Sequence, residues 1–248
     1  MQLATESTGT GPRLVLVHGF TQTGRSWRRV TGALAVDHEV VTVDAPGHGG
    51  SSEVDADLWE GGAAIVAAGG AGTYVGYSMG ARFALFGTLA RPEPVDALVL
   101  LGVNPGIEDA TERAARAAAD AALAASVEAD GVNAFLARWL AQPLFASLPA
   151  DAADIDDRRR NTAAGLASSL RRATVGRQQP VWDRVSAIAV PVLVVAGDRD
   201  AKFRAIGERL VAAIGPNATF ATVPGAGHAA HLEQPDAFVG LLRGWLRR

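Results

Sequence analysis

The sequence predicts an α/β protein built on a mostly parallel, doubly wound sheet, and three observations predict it. Short β-rich runs bounded by Gly, Pro or Asp alternate with helix-compatible stretches along most of the 248 residues. Most of those runs are continuously apolar, as strands covered on both faces must be. One long stretch, residues 106–184, breaks the alternation with helical sequence only, which reads as a helical cap inserted between two strands. The expected division is a core of residues 1–105 and 185–248, with the cap between them.

In chain order, the first run is Arg13–Val17, followed by a helix over 25–35. Glu39–Val43 gives the second strand, and 58–68 the next helix. The run 73–77 leads directly into a helix at Met79–Ala90, and 97–103 supplies the fourth strand. Within the cap, the Ala-rich run 114–125 has strong helix propensity, while Pro143, Pro149 and Pro180 act as breaks. Strand and helix then resume at 192–196, 202–214, 219–223 and 236–246.

Composition narrows the chemistry. With 48% hydrophobic and 20% charged residues, the chain can bury a core without disulfides or a structural metal. Cysteine is absent, which excludes thiolate nucleophiles and Cys-based metal centres. A net charge of −3 offers no field to nucleic acid or anionic lipid. No window approaches the roughly 18 apolar residues of a membrane span, and residues 1–13 lack the basic start and apolar stretch of a signal peptide, so a cytoplasmic location is expected. Of the 23 Lys and Arg residues, Lys202 alone is lysine. Base composition accounts for such a bias, but arginine is also the better fork for carboxylates.

The run 73–77 ends in Gly76-Tyr77-Ser78-Met79-Gly80 and passes straight into a helix. A serine between glycines at a strand-to-helix junction is a nucleophile elbow. The bend pushes the hydroxyl into the cleft, and side chains at the flanking glycines would collide with the neighbouring strand and helix. The acid and then the histidine should follow in sequence. Run 192–196 ends in Gly197-Asp198-Arg199-Asp200, and run 219–223 in Pro224-Gly225-Ala226-Gly227-His228. Ser78, Asp200 and His228 are therefore the expected catalytic set, His228 taking the serine proton and the carboxylate fixing its tautomer. The backbone amides of Phe20, in His18-Gly19-Phe20, and of Met79 are the expected oxyanion hole. His18 and His48 read as structural. The pair His228/His231 has a metal-compatible spacing but no third ligand, and no metal or other cofactor is expected.

Arg82 lies one helical turn after Ser78 and so projects from the same face. A cation in the first turn opposes the helix dipole, which points to a held anion; a surface or internally paired arginine is the alternative. Arg113, Arg116 and Arg158–Arg160 offer further forks from the cap.

These pieces resemble the α/β-hydrolase superfamily over nearly the whole chain, on His18-Gly19-Phe20, Asp44-x-Pro46-Gly47-His48-Gly49, Gly76-x-Ser78-x-Gly80, Gly197-x-x-Asp200 and Gly227-His228. Four longer stretches (76–82, 139–148, 197–204 and 226–231) look like the 2-succinyl-6-hydroxy-2,4-cyclohexadiene-1-carboxylate synthases, the menaquinone-pathway lyases of that superfamily. Ala81 departs from the glycine common there. The resemblance implies an α/β-hydrolase fold and the elimination of pyruvate from a small tricarboxylate substrate, with Ser78 acting as a base. It implies further that Arg82, Arg116 and Arg158 grip carboxylates, that Trp139 and Phe145 line the pocket, and that Tyr77 lies beside the serine. Arg158 is preferred to Arg159 and Arg160 by register. The competing enzyme class is a serine carboxylesterase or C–C bond hydrolase acting through an acyl-enzyme.

Overall fold

A computed structural model describes residues 1–247. Seven strands form one sheet: β1 (Thr5–Thr8), β2 (Arg13–Val17), β3 (Glu39–Val43), β4 (Gly72–Tyr77), β5 (Val95–Leu101), β6 (Val192–Gly197) and β7 (Ala218–Val223). Their spatial order is β1-β3-β2-β4-β5-β6-β7, with every pairing parallel except that of β1 with β3. The order reverses direction around β2, a switch point of the kind that opens a crevice at the strands' carboxyl ends.

Among the described residues there are nine α-helices: α1 (Arg28–Leu34), α2 (Leu58–Gly69), α3 (Met79–Ala90), α4 (Ala110–Leu140), α5 (Ile155–Arg158), α6 (Ala163–Arg172), α7 (Ala201–Ile214), α8 (Ala230–Glu233) and α9 (Pro235–Leu246). Between β5 and β6 the chain holds helices and loops only. Side chains start several of these helices. Asp57 and Glu60 form a reciprocal capping box at α2, and Asp109, Thr162 and Asp200 accept backbone N–H bonds at α4, α6 and α7.

Alternation along the strands splits the core in two. Val15 and Val17 pack with Ile65, Phe83, Val194 and Leu210 on the face covered by α2, α3 and α7. Leu14 and Leu16 pack with Val30, Leu34, Phe238 and Leu242 on the face covered by α1 and α9. Each such fully buried large side chain contributes roughly 1.5–3 kcal/mol. A third cluster (Ala124, Val127, Phe135, Leu166, Leu170) binds α4 to α6 within the insertion. No helix among the described residues is long and apolar enough to cross a membrane.

The structure departs from expectation at four places. Strand β1 was not anticipated: its residues Thr-Glu-Ser-Thr are all exposed, so no apolar periodicity announces it, and it exists through its antiparallel register with β3. The helix expected over 25–35 is divided into a 3-10 turn at Gly24–Trp27, capped by Thr23, and the shorter α1. Strand β5 runs from Val95 to Leu101 because Gly102 takes φ 62° and ends it before Val103. Helix α4 is broken at Gly131, whose φ of 77° and ψ of 168° turn 132–140 away from the axis of 110–130.

Candidate active site

Four strand ends supply the site. Residue Ser78 follows β4 directly, with φ 51° and ψ −107°, a backbone geometry that L-residues with a Cβ rarely adopt. The bend needs Gly80: a Cβ there would stand 2.2 Å from the Val17 carbonyl oxygen and 2.5 Å from that of His18. The loops after β6 and β7 touch in the same way, since a Cβ on Gly197 would lie 2.0 Å from the Gly227 carbonyl oxygen. This approach brings Asp200 to His228.

The three side chains expected to act together are joined by hydrogen bonds. His228 Nδ1 lies 2.8 Å from Asp200 Oδ2, and Nε2 lies 3.1 Å from Ser78 Oγ. The carboxylate accepts the Nδ1 proton, which leaves Nε2 as the acceptor for the serine hydroxyl. Asp198 is exposed and takes no part. Glu233 fixes the histidine loop by accepting from the amides on either side of His228, Gly227 at 2.7 Å and Ala229 at 3.0 Å. Imidazole orientation is thus set from both the side chain and the backbone.

The segment after β2 turns at Gly19–Gln22, closed by a Gln22 N–H bond to the Gly19 carbonyl at 3.2 Å. Thr21 sits at φ 70°, unfavourable for a β-branched residue by about 1–3 kcal/mol. The surroundings compensate. Thr21 N–H donates to His48 Nε2, Asn161 Nδ2 donates to the Thr21 carbonyl, and Arg158 Nη1 donates to Thr21 Oγ1. His18 and His48 carry the loop as expected: each accepts a backbone N–H on Nε2 and donates from Nδ1 to a carbonyl. Burial holds both rings neutral, lowering His48 to about 3. The amides of Phe20 and Met79 have no hydrogen-bond partner among the described residues, as the expected oxyanion hole requires.

Around Ser78 and His228 lies a cavity of about 950 Å³, part of it open to solvent. It is lined by Phe20, Tyr77, Trp139 and Phe145 and by three arginines, Arg82, Arg116 and Arg158. Arg82 Nη1 donates to the Ala173 carbonyl at 2.6 Å, and its pKa is lowered to about 10 by burial and by the neighbouring Arg116 charge. Arg116 Nε donates to Asp120 Oδ2 at 2.7 Å, and Asp120 also accepts from Thr174 Oγ1. Arg158 is buried, with Nε on the Ala153 carbonyl at 2.6 Å, and burial lowers its pKa. The Tyr77 ring packs 5.4 Å from His228 and 4.4 Å from His231, and burial pushes its phenol upward. Trp139 packs 5.0 Å from Phe20 and 5.8 Å from Phe145, so both cap aromatics pack on neighbours and line the cavity as well.

Three of the forks read from the cap do not join this cavity. Arg113 Nη1 is spent on the carbonyls of Ile107 and Glu108, and Arg159 pairs with Asp156 and Asn133. Arg160 faces a different surface depression, beside Asp157. At the end of α5 Asp157 and Arg158 are both buried, Asp157 on Thr23 and Arg158 on Thr21, whereas Arg159 and Arg160 follow the helix and face outward. His231 is buried between Trp27 and Tyr77, and neither ring nitrogen has a hydrogen-bond partner among the described residues. Among the described residues, no group of three or more His, Asp or Glu is placed to hold a metal. Asp120, Asn104, Lys202 and Phe203 line the cavity and were not singled out from the sequence. The acid would not be sought in an anion site, whereas the isolated lysine two residues after Asp200 was a usable signal.

The alpha/beta hydrolase family signature matches residues 14–241. The chain belongs to the alpha/beta hydrolase family. Within this family it is similar to 2-succinyl-6-hydroxy-2,4-cyclohexadiene-1-carboxylate synthases. That of Serratia proteamaculans (strain 568) is 33% identical over 244 residues, covering 95% of this chain and 93% of the relative. That of Escherichia coli O1:K1 is 32% identical over 251 residues, covering 95% and 94%. Among solved hydrolase-family structures, MenH from S. aureus superposes with a TM-score of 0.91 at 27% identity, over 99% of this chain and 98% of that one. A thermophilic esterase from Thermogutta terrifontis shares the fold, with a TM-score of 0.82 at 23% identity over 99% and 93% of the two chains.

Proposed function

We propose that this protein is a cofactor-free carbon–oxygen lyase. It eliminates pyruvate from 2-succinyl-5-enolpyruvyl-6-hydroxy-3-cyclohexene-1-carboxylate to give 2-succinyl-6-hydroxy-2,4-cyclohexadiene-1-carboxylate, a step of menaquinone biosynthesis. One observation carries the reading beyond the relatives' names. Three guanidiniums from three different elements line the cavity that holds the Ser78–His228–Asp200 chain, and Arg82 has no carboxylate partner among the described residues. A substrate with three carboxylates gives such a cavity its purpose, and an ordinary ester does not.

In this mechanism, His228, oriented by Asp200, takes the Ser78 proton. The alkoxide then removes the proton on the ring carbon next to the succinyl ketone. Charge moves to the ketone oxygen, where the amides of Phe20 and Met79 stabilise it; one such donor is worth about 10²–10³ in rate. Collapse of the enolate forms the C2–C3 double bond, shifts the existing C3–C4 double bond to C4–C5 and breaks the C5–oxygen bond to enolpyruvate. The leaving group is protonated and tautomerises to pyruvate. Ser78 cycles as a base and forms no acyl-enzyme.

Arg82, Arg116 and Arg158 hold carboxylates, Trp139 and Phe145 wall the ring, and Tyr77 stands beside the base. Residues 106–184 serve as a cap over the core of 1–105 and 185–248, and the reaction is placed in the cytoplasm. The test is a lactate-dehydrogenase-coupled pyruvate assay with the enolpyruvyl substrate. Steady pyruvate release is expected. A burst on p-nitrophenyl esters without pyruvate release identifies a serine hydrolase instead.

A further inference from the structure

The structure assigns Gln22 to the anion site: its side-chain amide is a further donor to a substrate carboxylate, beside Arg158. Gln22 is 2% exposed, yet it lines the cavity. Its amide has one possible orientation. The Gly19 N–H donates to Oε1 at 2.8 Å, so the oxygen is committed as an acceptor and the NH₂ must lie on the other side. That Nε2 has no partner among the described residues. A side-chain donor without a protein partner, on a residue that lines an arginine-rich cavity, is a donor left for a ligand.

Arg158 is fastened to the same turn. Its Nη1 is bound to Thr21 Oγ1 and its Nε to the Ala153 carbonyl, which leaves Nη2 without a partner among the described residues. Gln22 Nε2 and Arg158 Nη2 are thus two free N–H donors, one on this turn and the other fastened to it from α5 through Thr21. The turn is braced by the Gln22 N–H on Gly19 and by His48 and Asn161 on Thr21. Donors immobilised in advance lose little side-chain freedom when an anion binds. The ligand class is the carboxylate of a small polycarboxylate. The identity of that substrate rests on the lyase reading above; the donor itself does not.

The test is Gln22→Glu, which keeps an oxygen for the Gly19 N–H and sets a carboxylate oxygen where the free donor stood. That oxygen pairs with Arg158 and repels the substrate. KM for the enolpyruvyl substrate is expected to rise about tenfold or more, with kcat within about threefold and an unchanged melting temperature. An unchanged KM overturns the inference. Should Gln22→Glu fail to fold, Gln22→Met is read in its place. A raised KM with retained kcat supports the inference, whereas a reduced kcat at unchanged KM means that Gln22 only braces the turn.

Succinate, followed by tryptophan fluorescence, separates this result from the lyase reading because it needs no turnover. Its dissociation constant is expected to rise about tenfold or more in Gln22→Glu. Equal affinity in the variant, or no binding by the wild-type protein, overturns the inference. Wild-type protein that binds succinate but releases no pyruvate removes the lyase reading and leaves Gln22 to the succinate comparison.

Discussion

Nη1 of Arg82 donates to the carbonyl oxygen of Ala173 at 2.6 Å, joining the first turn of the elbow helix to the end of α6 in the insertion. A backbone oxygen orients the guanidinium without neutralising it. The charge stays available to an anion in the cavity, although burial and Arg116 make it expensive to keep.

Arg82→Ala is therefore expected to raise KM by roughly 10–100-fold, the worth of a charge-assisted hydrogen bond, with a smaller effect on kcat. Steady-state pyruvate release measures it. A KM within twofold of the wild-type value would remove Arg82 from the anion site.

Ser78→Ala leaves His228 and Asp200 in place but takes away the base. Pyruvate release is expected to fall by about 10²–10⁴-fold or more, with far-ultraviolet circular dichroism and melting temperature close to those of the parent. Retained turnover would mean that His228 acts on the substrate directly.

Gly80→Ala tests the elbow as a packing device. The added methyl meets the carbonyl oxygens of Val17 and His18 at 2.2 Å and 2.5 Å, both of them backbone and unable to swing aside. Overpacking of this kind costs about 1–3 kcal/mol or more. Calorimetry should show a melting temperature several degrees lower, at roughly 2–4 °C per kcal/mol for a chain of this size.

Burial holds His18, His48 and His231 neutral, lowering each pKa, His48 to about 3. Unfolded, these rings take up protons near pH 6.5. Below that pH the unfolded state binds more protons than the native one, so stability falls as pH drops and is fully present above it. For His48 the loss runs from about pH 6.5 down to about pH 3, at about 1.4 kcal/mol per pH unit. Melting temperatures should decline between pH 7 and pH 5, and His48→Gln should flatten that decline. A pH-independent profile in the parent would contradict the buried neutral rings.

The sequence by itself determined the sheet's central strands, the serine bend and the order of acid and histidine after it. These are local matters: apolar runs, glycines at tight junctions and side chains fixed within a few residues of a strand end. It left β1 unannounced, because an exposed Thr-Glu-Ser-Thr segment becomes a strand only through its partner β3. It also left the arginines of the insertion unsorted. Arg158, Arg159 and Arg160 are chemically identical neighbours, and it is the contact with the distant Thr21 that holds Arg158 inward while Arg159 meets Asp156. Only the tertiary structure decided which guanidiniums converge on the serine, because direction is set by packing between segments far apart in the chain, and composition carries no record of it.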